Sequence, residues 1–475
     1  MFLKDSALET IFSKTENFIK KRESQMQGKC NLDLLFCLGE KGFSLDELVF
    51  KLGELFEKKA FSELLEVILK LTQEVLVNRI FSKKDCPFSC CGESNFKLNG
   101  GYNRRIRTSL GEVNLYWRRI TCKSCNSDIV ILKDFLKIKH YQTKTGELEK
   151  IVVDAVSETS YRRAVKSIGE HKLIPLSHHT AHNWVMKTDC DEIKLSKDVV
   201  GSLGPTQIIA DGTGFKGQPV NGEAKKGDLK AVIGINKTGD VFPLGSWTAK
   251  TWEDINKEWR KDKIVFPDGS ILVADGEPGL ADAFAEQVEF QQRCHWHAVR
   301  DLYHCMHHDK APLSLTKEFQ QGLAGVLAIE LPEEDFQKVA ESEKDELEKK
   351  MEEAENVLTK FTNYLDEHGY KKAATYIMKA KRSMFGYVKR WLKLGVICPR
   401  ASSLIERVIR ELGRRIKKLA YNWSDRGAEK IARIILKKFT NEKEWEKYWK
   451  EKLKIDGKVM LTIRNYNITA QNLRH

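Results

Sequence analysis

The chain has 475 residues, 41% of them hydrophobic, and carries a formal net charge of +13. That length is enough for about two to four domains with sizeable cores, and the cationic excess favours a polyanionic partner. No apolar run approaches the roughly 20 residues of a membrane span. The opening Met1-Phe2-Leu3-Lys4-Asp5 mixes charges too early for a signal peptide, so a cytoplasmic protein with no membrane partner is expected. Residues 1–80 read as an N-terminal helical region: Leu45 to Leu52 and Phe61 to Leu71 carry apolar side chains at helical spacing. Such helices suit DNA, another subunit, or a packing cap for the cysteine-rich segment after them.

Eleven cysteines, an odd number spread unevenly, do not make a disulfide framework. Five of them cluster. Cys86-Pro87-Phe88-Ser89-Cys90-Cys91-Gly92 and Cys122-Lys123-Ser124-Cys125 are two knuckles about 30 residues apart, the spacing that tetrahedral Zn²⁺ with four thiolates requires. The spacing predicts a zinc ribbon over 81–135, with Cys86, Cys91, Cys122 and Cys125 as ligands of one structural ion. Cys90 and Cys91 compete for one place; Cys91 is preferred because Gly92 suits the tight knuckle. Between the knuckles, Arg105 to Trp117 alternates like a hairpin with basic Arg105 and Arg107 on one face.

Residues 136–200 are expected to be helical and to resemble a helix-turn-helix. A basic helix with Arg162 and Arg163 ends near Gly169, and a polar helix capped by Ser177 carries His178, Thr180 and Asn183 near its start. Those five side chains are candidate DNA contacts.

From residue 201 the pattern changes to strands. Ile208-Ile209-Ala210-Asp211-Gly212 and Ile271-Leu272-Val273-Ala274-Asp275-Gly276 are Ile/Val-rich runs that each deliver an aspartate to a strand end. Between them lie strand-like Leu229 to Ile235 and Val241 to Leu244, joined by the turn Asn236-Lys237-Thr238-Gly239, and then a short helix over Trp252 to Arg260. About 130 residues separate Asp275 from Glu406, more than a helix and a loop need. The Glu/Lys/Leu-rich stretch within 311–395 therefore reads as an all-helical insertion, with Glu341 to Glu355 on a long solvated helix. Residues 396–440 bring Glu406 into the first turns of a helix after Ser402-Ser403, followed by Arg407, Arg410, Arg414, Arg415, Lys417 and Lys418, which suit a phosphate backbone. Residues 441–475 form a C-terminal tail. Hard carboxylates in this arrangement can hold two Mg²⁺ ions roughly 4 Å apart around a phosphodiester.

The order strand, hairpin, helix and strand, with acids on the first and last strands, resembles the ribonuclease H-like core. Asp211 with Gly-Thr, Asp275 with Gly, Cys294-His295-Trp296-His297, and Glu406 followed by Asn422-Trp423-Ser424-Asp425-Arg426-Gly427 resemble the DDE transposases of the Mutator-like superfamily. The likeness is in particular to bacterial and archaeal insertion-sequence members with an N-terminal zinc ribbon. The resemblance implies an α/β multidomain protein: a ribonuclease H-like core over 201–310 and 396–440 with an all-helical insertion, preceded by helical, zinc-ribbon and helix-turn-helix-like modules. It further implies Asp211, Asp275 and Glu406 as catalytic ligands of two Mg²⁺ (or Mn²⁺), with Cys294 and His297 packed beside them. The expected partners are double-stranded DNA, both element ends and target, and a homodimer or larger synaptic assembly at the nucleoid. A nuclease that cuts without joining, and a domesticated DNA-binding regulator, are the alternative readings. His304, His307 and His308 read as surface or DNA-facing groups rather than a second zinc site.

Overall fold

The computed structural model describes residues 60–82, 88, 90–91, 95–172, 174–188, 204–264, 266–419, 421–440 and 442–453. The run Leu45 to Leu52, Cys86 and the tail beyond 453 lie outside them. The described residues form two compact units, one up to Val156 together with Tyr161–Trp184, the other Ser157–Ser160 together with Val185 onward. Among them no helix is long and apolar enough to cross a membrane.

In the first unit, helix α1 (Phe61–Ser82) packs on a three-stranded antiparallel sheet, β1 (Phe96–Thr108), β2 (Gly111–Cys122) and β3 (Asp128–Val130). The hairpin expected around Arg105 to Trp117 is β1–β2, with Thr108 opposite Gly111. Leu76 and Ile80 of α1 meet Phe96, Ile120 and Cys122 in one apolar cluster. Strand β3 pairs only with Arg119 to Thr121, which leaves the backbone of β2 without a strand partner further along. Gln73 of α1 takes that place: its amide donates to the Tyr116 carbonyl at 3.1 Å and accepts from the Arg118 N–H at 2.9 Å. A buried strand edge needs such a partner, so α1 caps this sheet in polar as well as apolar terms.

After the short α2 (Ile131–Phe135) come α3 (Gly146–Glu158), α4 (Tyr161–Lys172) and α5 (His178–Lys187). Ser177 caps α5, its Oγ accepting from the Thr180 N–H at 3.1 Å. Gly169 does not end α4, which runs three residues further to Lys172. Glycine costs a helix interior only about 1 kcal/mol, and the buried Ala164 and Ile168 outweigh it.

The second unit is a mixed α/β structure around five strands: β4 (Pro205–Val220), β5 (Glu223–Asn236), β6 (Val241–Thr248), β7 (Ile271–Ala274) and β8 (Phe290–Arg293). Their order across the sheet is β6-β5-β4-β7-β8; β4, β5 and β6 are antiparallel, whereas β7 and β8 run parallel to β4. Helix α6 (Trp252–Lys261) begins at Thr251 in a capping box with Asp254. Its Trp252, Ile255 and Trp259 join Ile208, Ala210, Val232 and Leu272 in a single core. Each such buried side chain contributes about 2 kcal/mol. Side chains alternate along a strand, so Ile209 and Asp211 face away from that core. There α13 (Ser403–Ile416) and α14 (Asp425–Thr440) lie against β4, β5 and β6.

Between β7 and β8 lies the single turn α7 (Leu280–Ala283); after β8 comes α8 (His295–His308). Four helices lie between α8 and α13: α9 (Leu313–Val326), α10 (Glu341–Glu367), α11 (Lys371–Lys381) and α12 (Gly386–Leu394). Helix α10 is the long charged helix expected, but it buries Leu347, Met351, Ala354, Leu358 and Leu365 along one stripe. Helix α12 closes the β8 edge: the Tyr387 N–H donates to Gln292 at 2.9 Å, and a Cβ at Gly386 would stand 2.0 Å from the Gln291 carbonyl oxygen. Only glycine permits that approach. Helix α15 (Glu442–Leu453) is last, burying Trp445 and Trp449.

Candidate functional site

The acids are brought together by strand length. Strand β4 continues through Asp211 to Val220, so Asp211 is not at a strand end as the sequence suggests. Its parallel neighbour β7 is what stops: Ala210 lies opposite Ala274, and Asp275 follows immediately in a turn. In-register parallel pairing therefore sets Asp211 beside Asp275. The turn is held by the Glu277 N–H donating to Asp275 at 2.9 Å.

Burial and charge mark this corner. Asp211 is only 7% exposed. Desolvation, reinforced by the Asp275 charge, pushes its carboxyl up to about 7, although the Gly212 N–H donates to it at 2.7 Å. Two carboxylates sharing a poorly hydrated corner raise one another's proton affinity until a cation replaces the proton. Glu277 is a third acid here that the sequence reading did not single out. A Cβ at Gly212 would stand 2.5 Å from its Oε2, so the Asp211-Gly212 step accommodates that carboxylate directly. Burial raises its proton affinity too, while buried Lys230 stands 3.7 Å away. The signal was present in Asp275-Gly276-Glu277, an acid two residues after another across a glycine.

Glu406 stands in the first turn of α13. Helix α13 is anchored at its far end, where Trp423 pairs in a bridge with Gly217 at the end of β4 and donates its indole N–H to the Ile416 carbonyl. At its near end the anchor is Cys294. The Cys294 N–H donates to the Ala274 carbonyl at 2.8 Å, one residue before Asp275, and its Sγ accepts from the Ser402 N–H at 3.3 Å. The His295 N–H donates to the Arg400 carbonyl at 2.9 Å. Ser402 Oγ reaches Glu406 at 3.3 Å and His297 Nδ1 at 3.4 Å, and His297 Nδ1 stands 3.7 Å from the Glu406 carboxylate. The Cys-x-x-His element thus clasps the end of β7 to the start of α13. Burial pulls the His297 imidazole down, but the adjoining Cys294 outweighs it and the net displacement is upward.

Cys294, His297 and Glu406 offer donor atoms all within 4.8 Å of one another. Beneath the Asp275 turn lies Arg293, whose guanidinium donates to Asp301 at 3.2 Å and to the Tyr376 hydroxyl at 2.8 Å. Gly276 has φ +85°, and a Cβ there would fall 0.7 Å from an Arg293 nitrogen. The turn therefore admits no other residue without displacing the arginine.

In the first unit, Cys90, Cys91, Cys122 and Cys125 place their sulfurs within 4.8 Å of one another. Cys90 Sγ is 3.0 Å from Cys125, and Cys91 Sγ is 3.8 Å from Cys122. Cys90, set aside on the sequence, joins this group; the reason is that both members of the Cys90-Cys91 pair reach the second knuckle, Cys91 with a positive φ of 46°. Four soft thiols at these separations match a closed tetrahedral site. Hydrogen bonds within the group pull its thiols apart: those with Ser127 and Cys90 draw Cys125 down to about 6, and the one with Cys125 pushes Cys91 up to about 12.

The basic candidates divide by exposure. Arg407, Arg410, Arg414, Lys417 and Lys418 lie along α13 and its end with their side chains at least partly exposed, whereas Arg415 is buried with its guanidinium 4.8 Å from the Trp423 ring. Arg415 therefore leaves the proposed phosphate-facing set: helical spacing turns it inward. Arg162, Arg163 and Asn183 are exposed, and His178 and Thr180 at the start of α5 are half-buried. Arg105 and Arg107 both pair with Glu112, at 3.2 and 3.6 Å. No protein-family model matches the chain, and no curated protein matches it.

Proposed function

We propose that the protein is a metal-dependent DDE transposase of the Mutator-like type, built on a ribonuclease H-like core, that acts on the ends of its own mobile element. The observation that carries this reading is the parallel register of β4 and β7, which sets Asp211 beside Asp275 at a buried corner that Glu406 approaches across His297. The sheet order, with three antiparallel strands followed by two parallel ones, supports it. Asp211, Asp275 and Glu406 would hold two Mg²⁺ or Mn²⁺ ions. Bound ions of this kind polarise a phosphodiester and activate water, and later the freed 3′-hydroxyl, for attack. The chain's own contribution is placement: Cys294, Ser402 and His297 hold Glu406 towards the aspartates, and Arg293 supports the Asp275 turn. Arg407, Arg410, Arg414 and Lys418 give α13 a cationic surface for the DNA backbone. In the ribbon, Cys90, Cys91, Cys122 and Cys125 would hold one structural Zn²⁺. Double-stranded DNA and a second copy of the chain, at the nucleoid, are the proposed partners.

The test is cleavage of labelled DNA carrying the sequences that flank the gene, with Mg²⁺ or Mn²⁺, comparing wild type with Asp275→Asn. Metal-dependent nicking at the element boundary should fall by on the order of a thousandfold in the variant, several kcal/mol of lost charge stabilisation, with DNA binding retained. Binding without cutting by the wild type under every metal would replace the enzyme with a DNA-binding regulator.

A further inference from the structure

Beside the Cys-x-x-His clasp lies a second feature that the carboxylates do not use. Trp296 occupies one of the two positions between Cys294 and His297, yet its side chain is 55% exposed. It lines an open cavity of about 560 Å³ whose wall includes Ala324, Leu327 and Ala328 and whose rim carries Arg300 and Arg400. The Arg300 guanidinium stands 4.9 Å from the centre of the indole and is steadied by two contacts with Asp301, at 2.7 and 2.8 Å. Arg400 is fixed from below by donating to the Ile329 carbonyl at 3.2 Å. The indole meets the His297 ring edge-on at 4.8 Å, and His297 is the residue 3.7 Å from Glu406. One imidazole therefore separates the cavity from the acid site.

We infer that this cavity receives a nucleobase lifted out of the duplex next to the phosphate being cut. An exposed indole at an apolar wall selects a flat π-system, and base–aromatic stacking is tolerant of sequence. Of the two guanidiniums at the rim, Arg300 is shared with Asp301 and Arg400 donates to a backbone carbonyl, so the rim is cationic on balance and suits a base flanked by its own phosphates. The volume lies within the range of small-molecule pockets, ample for one base and its sugar. Lifting a base costs unpairing and unstacking, and stacking on Trp296 offsets part of that cost. The benefit is local: a nucleotide pulled towards Trp296 draws its phosphate towards Glu406 and opens the strand for attack. Trp296, Arg300 and Arg400 act as substrate-positioning residues in this role. The inference rests on the transposase reading.

The experiment uses the full-length protein and duplexes carrying the gene's flanking ends, with 5-iodouracil placed singly at successive thymines across the boundary, followed by photocrosslinking and peptide mapping. The expected result is a crosslink to Trp296 from one or two positions at the boundary. Trp296→Ala should lose it and bind the same DNA about tenfold more weakly, while Trp296→Phe restores most of both. A mismatch at the crosslinked position should tighten binding to wild type and leave Trp296→Ala unaffected, since the unpairing cost is then already met. Ala324→Phe, which fills the cavity and leaves the indole in place, should abolish the crosslink and guards against a folding defect in the first variant. Crosslinks confined to other residues, with Trp296→Ala binding and cutting normally, would overturn the pocket and leave the transposase reading standing. An unchanged DNA affinity together with altered oligomeric state in Trp296→Ala would assign the cavity to protein contact and equally overturn the inference. Failure of the wild type to bind or cut any flanking DNA would remove both readings together.

Discussion

The two donor clusters of this protein are assembled in opposite ways. The four ribbon thiols come from two knuckles joined by a single hairpin, and the register of β1 with β2 alone brings them together. The acidic corner draws Asp211 and Asp275 from adjacent parallel strands, while Glu406, on a helix about 130 residues further on, stands with Cys294 and His297. The thiols lie beside a small apolar cluster that includes Cys122, Leu76, Ile80 and Phe96, so the proposed zinc adds to a modest core rather than replacing one. The aspartates instead sit on the sheet core, where burial and mutual charge leave Asp211 protonated up to about 7. The difference teaches that thiols close in sequence meet through one hairpin, whereas the aspartates meet only through the register of strands about 60 residues apart.

Stripping the proposed zinc is the strongest way to break this contrast. Removal of the ion, or Cys122→Ser with Cys125→Ser, should unfold the ribbon at a cost on the order of 10 kcal/mol of binding free energy. Hydrogen exchange should then show residues 95–130 losing protection while β4, β5 and β7 keep theirs. Equal loss in both regions would refute the distinction, and unchanged zinc content and folding would remove the ribbon assignment.

The acid corner should report itself through pH. Asp211 holds its proton up to about 7 in the folded chain, against 3.8 for its ordinary value, because burial and Asp275 disfavour its charge. Between those values the folded state binds more protons than the unfolded state, so stability falls as pH rises through that window, by on the order of 4 kcal/mol at most. In magnesium-free buffer, denaturant midpoints should decline from about pH 4 to 7, and Asp211→Asn should flatten the decline. A flat wild-type profile would mean that the corner is better hydrated than its burial implies.

Smaller effects probe the supports. Gly276→Ala places a side chain at φ +85° and onto Arg293, costing about 1–3 kcal/mol in urea denaturation and moving the Asp275 turn. Wild-type stability in that variant would show that Arg293 yields freely. Cys294→Ala removes the sulfur that accepts from the Ser402 N–H, and the cleavage step measured in single turnover should slow by about tenfold, 1.4 kcal/mol, with DNA affinity unchanged. An unaltered rate would leave Glu406 positioned by its own helix alone.

Much of this arrangement was legible in the residues. Alternation and the Asn236 to Gly239 turn gave the hairpin β5–β6, the Trp252 to Arg260 pattern gave α6, and Ser177 marked the start of α5. Where reading failed, a longer-range contact had prevailed over a local signal. Gly169 is a helix breaker by propensity, but apolar packing carried α4 past it. Arg415 is a cation by composition, but its turn of α13 faces Trp423. Cys90 was indistinguishable from a spare thiol until the second knuckle lay against it.

The sequence by itself determined which segments could be helix, strand or knuckle, and it placed an aspartate next to glycine in each of two apolar strand-forming runs. Those are properties of neighbouring residues, set by period, propensity and turn chemistry. Only the tertiary structure decided that β7 ends where Asp211 needs an open neighbour, that Glu277 joins the acids over Gly212, and that Cys294 ties Ala274 to Ser402. Each of these depends on strand register and on groups far apart in the chain, and no local pattern encodes the distance between them.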